Sequence, residues 1–80
     1  MIYLDDECWA MIRKLPLPSA EELGGLGDFA ERYGLQVRRS DVLNDLIFVR
    51  PDDRAYTTLS YPIPSVVEAV ETLRRNFGLD

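Results

Sequence analysis

An apolar stripe with helical spacing runs through residues 4–15. Its members fall at positions i, i+3, i+4 and i+7, and they are Cys8, Met11, Ile12 and Leu15. Asp5 or Asp6 precedes the stripe as a candidate N-cap, and Pro16 and Pro18 follow it. We therefore predict a first helix that turns this stripe, Cys8 included, toward the core and ends before the prolines.

A capping box and a glycine cluster shape the next segment. Ser19 and Glu22 are spaced so that each side chain can accept a hydrogen bond from the backbone amide of the other. Glycines follow at positions 24, 25 and 27. Each of them disfavours a helix interior by about 0.5 to 1 kcal/mol relative to alanine. Residues 19–33 are therefore predicted as two short helices or one kinked helix.

The pattern after these helices is that of β-strands. Residues 35–39 alternate between apolar and polar side chains, and residues 46–49 form an apolar run suited to a strand buried on both faces. Residues 55–61 are rich in β-forming types, and the proline and aspartates before them favour a tight turn. We predict a hairpin over residues 46–61. The connection at 40–45 is either a turn or one helical turn.

A second capping box opens the last predicted helix. Ser65 and Glu68 form the box, and the helix runs to about Asn76 before Gly78 ends it. Its inward positions are Val66, Val70, Leu73 and Phe77. The sequence thus predicts a single α+β domain over residues 1–80. It has two or three short N-terminal helices, a two- or three-stranded antiparallel sheet, and a C-terminal helix packed on the sheet.

Side-chain alternation sorts the two tyrosines near the hairpin onto opposite faces. If Leu59 points inward, Tyr61 points inward with it. Tyr56 then lies on the outer face with Thr58 and Ser60, where it would offer a polar, hydrogen-bonding surface to a partner or to water.

Composition argues against catalysis. The 80 residues include no histidine, which excludes dyads and triads that use an imidazole base and excludes histidine-ligated zinc. A chain of this length also has little room for a deep cleft. The acidic residues lack the alternating spacing of a calcium loop. We expect no enzymatic activity, no cofactor and no metal site.

Targeting patterns are also lacking in the sequence. No apolar run approaches the roughly 20 residues of a membrane span, and no signal-peptide pattern begins the chain. Cys8 is the only cysteine, so it has no internal disulfide partner. We expect a cytoplasmic protein without a membrane anchor.

The charge balance points to a protein partner. Nine Lys and Arg stand against 14 Asp and Glu, for a formal charge of −5. The bases form no patch that could hold nucleic-acid phosphates, so direct nucleic-acid binding is not expected. An acidic surface is attracted to basic protein surfaces. We expect a larger protein with a basic surface as the partner, bound by a monomer or homodimer of this chain.

Two short stretches resemble DNA-binding motifs. Gly25-Leu26-Gly27 is similar to the hairpin of helix-hairpin-helix modules, whose glycine amides hold a DNA phosphate. This chain has Glu31 where that module has an alanine, and its carboxylates would repel the phosphate. We favour a simple helix break at the glycines.

The second stretch resembles the first helices of winged helix-turn-helix regulators. The matching residues are Leu17, Pro18, Ser19, Glu22, Leu23, Phe29, Ala30, Tyr33, Gly34 and Leu35. The resemblance implies a recognition helix over residues 36–45, with Arg38 and Arg39 toward DNA, and a wing formed by the hairpin. That segment lacks the apolar spacing of a recognition helix and carries Asp41 and Asp45.

Our preferred hypothesis is a small interaction protein that inhibits or antagonises a larger nucleic-acid-binding protein. By analogy of size and charge, it would be of the anti-CRISPR or DNA-mimic type. The candidate contact residues are five acids and two aromatic anchors: Asp5, Asp6, Glu7, Asp52, Asp53, Trp9 and Tyr56. The alternatives are a degenerate winged helix-turn-helix regulator and an accessory subunit of a complex.

Overall fold

Residues 2–79 are described by a computed structural model, in which a four-stranded antiparallel sheet carries helices on both faces. The elements in chain order are β1 (Ile2–Tyr3), α1 (Asp6–Ile12), α2 (Ala20–Leu23), α3 (Leu26–Arg32), β2 (Gln36–Ser40), β3 (Asp45–Arg50), β4 (Ala55–Ser60) and α4 (Val66–Phe77). The strand order is β1-β4-β3-β2. The predicted α+β class, the hairpin and the C-terminal helix are confirmed. The sequence pattern did not reveal β1.

The inner face of the sheet holds the main core. Phe48 of β3 pairs with Val37 of β2 and Thr57 of β4, and this register turns alternate side chains toward α3 and α4. Phe48 is fully buried. The cluster on this face comprises Leu26, Phe29, Ala30, Leu35, Val37, Leu46, Phe48, Ala55, Ala69, Leu73 and Phe77. Leu59 also packs here, as its predicted inward orientation requires.

The outer face carries a smaller cluster under α1. Ile47 and Val49 alternate with the core residues of β3 and contact Leu4 on this side. Half-buried residues that pack against the cluster are Trp9, Ile12, Leu15 and Tyr56. Because the four residues from Leu46 to Val49 are all buried, the predicted strand buried on both faces is confirmed. The layer on its outer side is α1.

Local capping fixes the ends of the helices. Asp5 accepts a 2.7 Å hydrogen bond from the amide three residues later and is the N-cap of α1. Ser19 and Glu22 form the predicted reciprocal box, with hydrogen bonds of 3.1 and 2.9 Å. Ser65 caps α4, and Gly78 ends that helix in the left-handed region at φ 65°. The caps at Asp5, Ser19 and Ser65 confirm their predictions, but the predicted box at Ser65 is only half formed. The Glu68 amide donates to the Ser65 hydroxyl at 3.3 Å, and within residues 2–79 the Glu68 side chain makes no return bond to the Ser65 amide.

Two predicted helix stripes are partly wrong. In α4 the buried residues are Ala69, Leu73 and Phe77, while Val66 is 42% exposed at the start of the helix. In α1 no residue of Asp6–Ile12 is fully buried. The first helix lies against the sheet through one edge of its stripe, so the other edge remains in solvent.

The free edge of β2 is closed by local hydrogen bonds. The carbonyl of Pro16 accepts a 2.9 Å bond from the amide of Arg39. The guanidinium of Arg38 donates at 3.0 Å to the carbonyl of Val37. Both groups belong to a strand edge that would otherwise be open to another chain. These bonds disfavour extension of the sheet at β2.

The glycine cluster separates α2 from α3, which confirms the two-helix alternative. Gly24 closes α2 at φ 57° and ψ −131°, a conformation that residues with a Cβ rarely adopt. Gly25 precedes α3, where an added Cβ would lie 3.2 Å from a methyl group of Val66. Gly27 lies inside α3. The break therefore depends on the first two glycines of the cluster.

Alanine substitutions at Gly24 and Gly27 are expected to change stability in opposite directions. Gly24→Ala should lower the free energy of unfolding by about 1 to 3 kcal/mol, because the backbone there is strained for alanine. Gly27→Ala should raise it by about 0.5 to 1 kcal/mol, because a Cβ there meets Leu23 at an ordinary 3.7 Å. Urea denaturation of both variants checks the signs. Equal effects of the two substitutions would contradict this account of the break.

Candidate partner-binding groove and acidic end

A groove lies between α1 and the outer face of the sheet. Its volume is about 560 Å³, within the range of sites that bind small ligands or peptide side chains. The residues that line this groove are Leu4, Cys8, Met11, Ile12, Leu15, Ser40, Leu43, Asp45, Ile47, Tyr56, Thr57 and Thr58. Most of these lining groups are apolar.

The groove is open because α1 only partly covers the sheet. Ile12 and Leu15 pack against the outer cluster, whereas Met11 is 66% exposed and Cys8 is also exposed. The prediction that Cys8 and Met11 belong to the core is therefore wrong. On the opposite wall Leu43 is 70% exposed. Exposed apolar groups that share one concave surface are a feature of binding sites.

The α1 segment is fixed to the sheet at both of its ends. Before the helix, the amide of Leu4 donates at 2.9 Å to the carbonyl of Arg54. Asp6 forms an ion pair with the guanidinium of Arg54. After the helix, the Pro16 carbonyl accepts from Arg39 as described above. These attachments hold α1 across the sheet although its middle is only half-buried.

The fold brings the two predicted acidic segments together at one end of the molecule. Pairing of β1 with β4 places residues 5–7 next to the turn at 51–54, and the Asp6–Arg54 ion pair joins them. The five carboxylates there are Asp5, Asp6, Glu7, Asp52 and Asp53. We call this region the acidic end. It adjoins the groove, since Leu4 and Cys8 flank residues 5–7 and line the groove.

Several of these acids hold the local structure. Asp53 pairs with Arg50 at 2.8 Å, and that hydrogen bond lowers the pKa of its carboxyl group. The amide of Cys8 likewise lowers the pKa of the Asp5 carboxyl. All five acids are exposed, but Asp5, Asp6 and Asp53 also support the fold, so Glu7 and Asp52 are the better candidates for partner contact.

The two predicted aromatic anchors lie on the outer face. Trp9 is half-buried against the outer cluster, and the guanidinium of Arg13 lies 5.8 Å from its ring centroid. Tyr56 is on the outer face, as alternation predicted. It does not present an open polar surface, however, because it packs under α1 and lines the groove. Tyr56 is therefore a wall of the site, and Trp9 supports α1 beside it.

Arg39 is a structural residue, and the prediction that it faces DNA is wrong. It is only 8% exposed, so it cannot face DNA as the winged helix-turn-helix resemblance implied. Its guanidinium donates to Glu22 at 2.9 Å and to the side chain of Asn44 at 2.7 Å. It also donates to the backbone carbonyls of Ser40 and Asp45 and lies 4.6 Å from the Tyr61 ring centroid.

Neither DNA-binding resemblance extends to the fold. The segment expected as a recognition helix forms β2 and the turn into β3. Its other arginine, Arg38, bonds to the Val37 carbonyl and to the Gln36 side chain. In the glycine stretch, Leu26 is fully buried and begins α3, so it does not form the exposed tip of a hairpin.

The Cys8 thiol is expected to react slowly although it is exposed. The hydrogen bond and the negative charge of Asp5 raise its pKa above the ordinary value of 9.0. The thiolate fraction at pH 7 is then below about 1%. Alkylation by iodoacetamide should accelerate as pH rises through 9, and Asp5→Asn should make it faster at pH 7. A rate at pH 7 equal to that of a free thiolate would contradict this assignment.

The part of the chain that the structure describes has neither a metal-binding cluster nor a membrane-spanning helix, and the sequence matches no known family. Within residues 2–79, no group of three Cys, Asp or Glu side chains is placed to hold a metal ion. No helix in that part of the chain is long and apolar enough to cross a membrane. No protein-family model matches the sequence, and comparisons with curated proteins and with solved structures find no similar protein.

Proposed function

We propose that this chain is a small acidic interaction module that binds a basic surface of a larger protein. The observation that carries the proposal is the open apolar groove beside the acidic end. Apolar contacts in the groove would supply most of the affinity, and the carboxylates would steer the encounter. The two features lie on one side of the molecule, so a single partner can use both.

The exposed groups of the groove support a binding role. Met11 and Leu43 both line the groove and together keep apolar surface in water. Leaving such surface exposed forgoes about 25 cal/mol for each Å² that burial would gain. A partner that covers these side chains recovers that free energy on binding.

The net charge supports a basic partner. The chain carries −5, and the acidic end has five carboxylates against two guanidinium groups, from Arg50 and Arg54. Basic grooves that bind nucleic acid offer a complementary surface. The sharpest form of the proposal is therefore an inhibitor that occupies such a groove, of the anti-CRISPR or DNA-mimic type. Its site of action would be the cytosol, where the exposed Cys8 thiol stays reduced.

Affinity capture followed by a salt titration tests this function. Tagged protein would retain its partner from a lysate of the native host, and the identified partner would then be purified. We expect the dissociation constant to rise by about tenfold or more between low and high salt, because exposed charges are screened. An affinity that does not change with salt would overturn the electrostatic part of the proposal.

Charge-neutral variants localise the effect to the acidic end. Glu7→Gln with Asp52→Asn should lower the association rate several-fold and leave the dissociation rate nearly unchanged. The matched control is Glu31→Gln with Glu71→Gln, which removes two exposed charges from α3 and α4. Equal losses for both double variants would show that net charge alone acts.

A sharp monomeric melting transition of the isolated chain would argue against an obligate accessory subunit.

A further inference from the structure

We infer that the groove takes a short peptide segment of the partner that carries one lysine or arginine flanked by apolar side chains. This inference rests on the proposed function and names what enters the groove. Its basis is the carboxylate of Asp45, a negative charge without an ion-pair partner among residues 2–79, in a groove lined mostly by apolar groups. The cation of the segment would meet this carboxylate, and its apolar neighbours would fill the space between α1 and the sheet.

Asp45 holds a buried oxygen without a hydrogen-bond donor. Its Oδ1 atom is shielded from solvent and has no partner among residues 2–79. Because this oxygen is shielded, a ligand does not reach it directly, and what Asp45 offers to the groove that it lines is its negative charge. An incoming ammonium or guanidinium group supplies the opposite charge.

Among residues 2–79, no cation pairs with the Asp45 carboxylate. Arg39 directs its guanidinium to the main-chain carbonyl of Asp45, not to its carboxylate. Ser40, which pairs with Asp45 across the strands, accepts a 3.3 Å hydrogen bond from the amide of Leu43. Arg38 lies on the same face of β2, but it bonds to the Val37 carbonyl. The charge of Asp45 is therefore not neutralised by an ion pair within the described part of the chain.

The groove has the length of a short peptide. Asp45 stands near one end and Tyr56, opposite Val49, stands near the other. Four residue steps separate Asp45 from Val49, which is about 13 Å along the strand. That length accommodates about four residues of an extended segment or about nine of a helix. The apolar floor between the ends is Ile47, and Met11 and Leu43 form the rims.

Electrostatics selects a basic segment over a second copy of this chain. Carboxylates stand at both ends of the groove, with Asp45 at one end and Asp5, Asp6 and Glu7 at the other. A second copy would bring a further −5 toward the same surface. A segment with one cation instead gains at Asp45 and meets no like charge at the other end.

Selection from a random peptide library displayed on phage tests the inference with a defined probe. We expect the peptides enriched on the wild-type protein to share one Lys or Arg flanked by Leu, Ile, Phe or Met. A selected peptide would then be synthesised with its basic residue and with norleucine in that place. Enrichment of acidic or purely apolar peptides would overturn the inference, as would self-association of the chain through the groove.

The isosteric variant Asp45→Asn identifies the recognition group. It should weaken the basic peptide by about tenfold and leave the norleucine peptide unchanged. Glu71→Gln is the control, because it removes an exposed acid on α4 that does not line the groove. Binding should also protect Cys8, the only cysteine, from alkylation. Equal losses for both peptides, or no protection of Cys8, would contradict the assignment.

A second variant addresses the groove independently of Asp45. Met11→Lys places a charge at the exposed rim and should abolish binding of both peptides while the melting temperature stays close to that of the wild type.

The proposed function and the inference about the groove can be contradicted separately. If the host partner binds with salt-dependent affinity but no basic peptide enters the groove, the inference falls and the proposed function stands. If the peptides bind as expected but the affinity for the partner does not change with salt, the inference stands and the electrostatic part of the proposed function falls.

Discussion

Arg39→Met is expected to lower the free energy of unfolding by about 3 kcal/mol. Removing one member of a buried ion pair costs about 3 to 5 kcal/mol, because the remaining polar groups lose their partner. The carboxylate of Glu22 is 29% exposed, so water compensates part of the loss and places the effect at the lower end. For a domain of this size the melting temperature should fall by roughly 12–24 °C.

The effect of Arg39 arises from the number of elements that it joins. It connects α2 through Glu22, the turn between β2 and β3 through Asn44, and the segment after β4 through Tyr61. Arg39→Lys keeps the charge but offers a single ammonium group in place of the planar fork, so it should recover only part of the stability. Thermal melting followed by circular dichroism measures both variants.

Arg38→Met is the matched control for Arg39. Arg38 is the preceding residue and points to the other face of β2, where it donates at 3.0 Å to the Val37 carbonyl and at 3.5 Å to the Gln36 side chain. Its replacement should change the free energy of unfolding by less than about 1 kcal/mol. Equal destabilisation by the two substitutions would mean that charge, not the contacts of Arg39, sets the stability.

Phe48→Ala is expected to destabilise the protein by about 3 to 5 kcal/mol. Phe48 is fully buried at the centre of β3, between its partners on β2 and β4 and under α3 and α4. Truncation leaves a cavity that these layers cannot close. An 80-residue domain has about 4 to 12 kcal/mol in total, so the variant should lose at least about a quarter of its stability.

Val42→Ala is the control for the core substitution. Val42 is 94% exposed in the turn before β3, and its truncation should change stability by at most about 0.5 kcal/mol. Urea denaturation at equal protein concentration compares the two variants. A loss below about 1 kcal/mol for Phe48→Ala would contradict the assignment of the main core to the inner face.

Features determined by neighbouring residues were predictable from the sequence. The caps at Asp5, Ser19 and Ser65 depend on hydrogen bonds to amides three residues away, and all three form as predicted. The break at Gly24 follows from its own backbone preference. The apolar run of β3 indicated burial on both faces, and the structure has it. These predictions required no knowledge of distant contacts.

Features determined by distant contacts were missed. Arg39 looked like an exposed basic residue, because its partners Glu22 and Tyr61 are 17 and 22 positions away and their approach is set by the whole fold. The stripe of α1 predicted burial of Met11, but helical spacing alone does not reveal how far a helix overlaps the sheet. The lack of a hydrogen-bond donor at Oδ1 of Asp45 has no sequence signature either. The alternation of side chains along a strand predicts the face of the sheet on which Asp45 lies, but it does not predict its hydrogen bonds.

The attachment of α1 at its two ends has a consequence for what the protein can recognise. A helix held at its termini over a thinly packed middle can tilt by small amounts without disturbing the main core on the far side of the sheet. Side chains of different bulk could then be accommodated, each at a modest energetic cost. If the proposed binding function holds, a helix attached in this way would let one groove accept targets that differ in sequence.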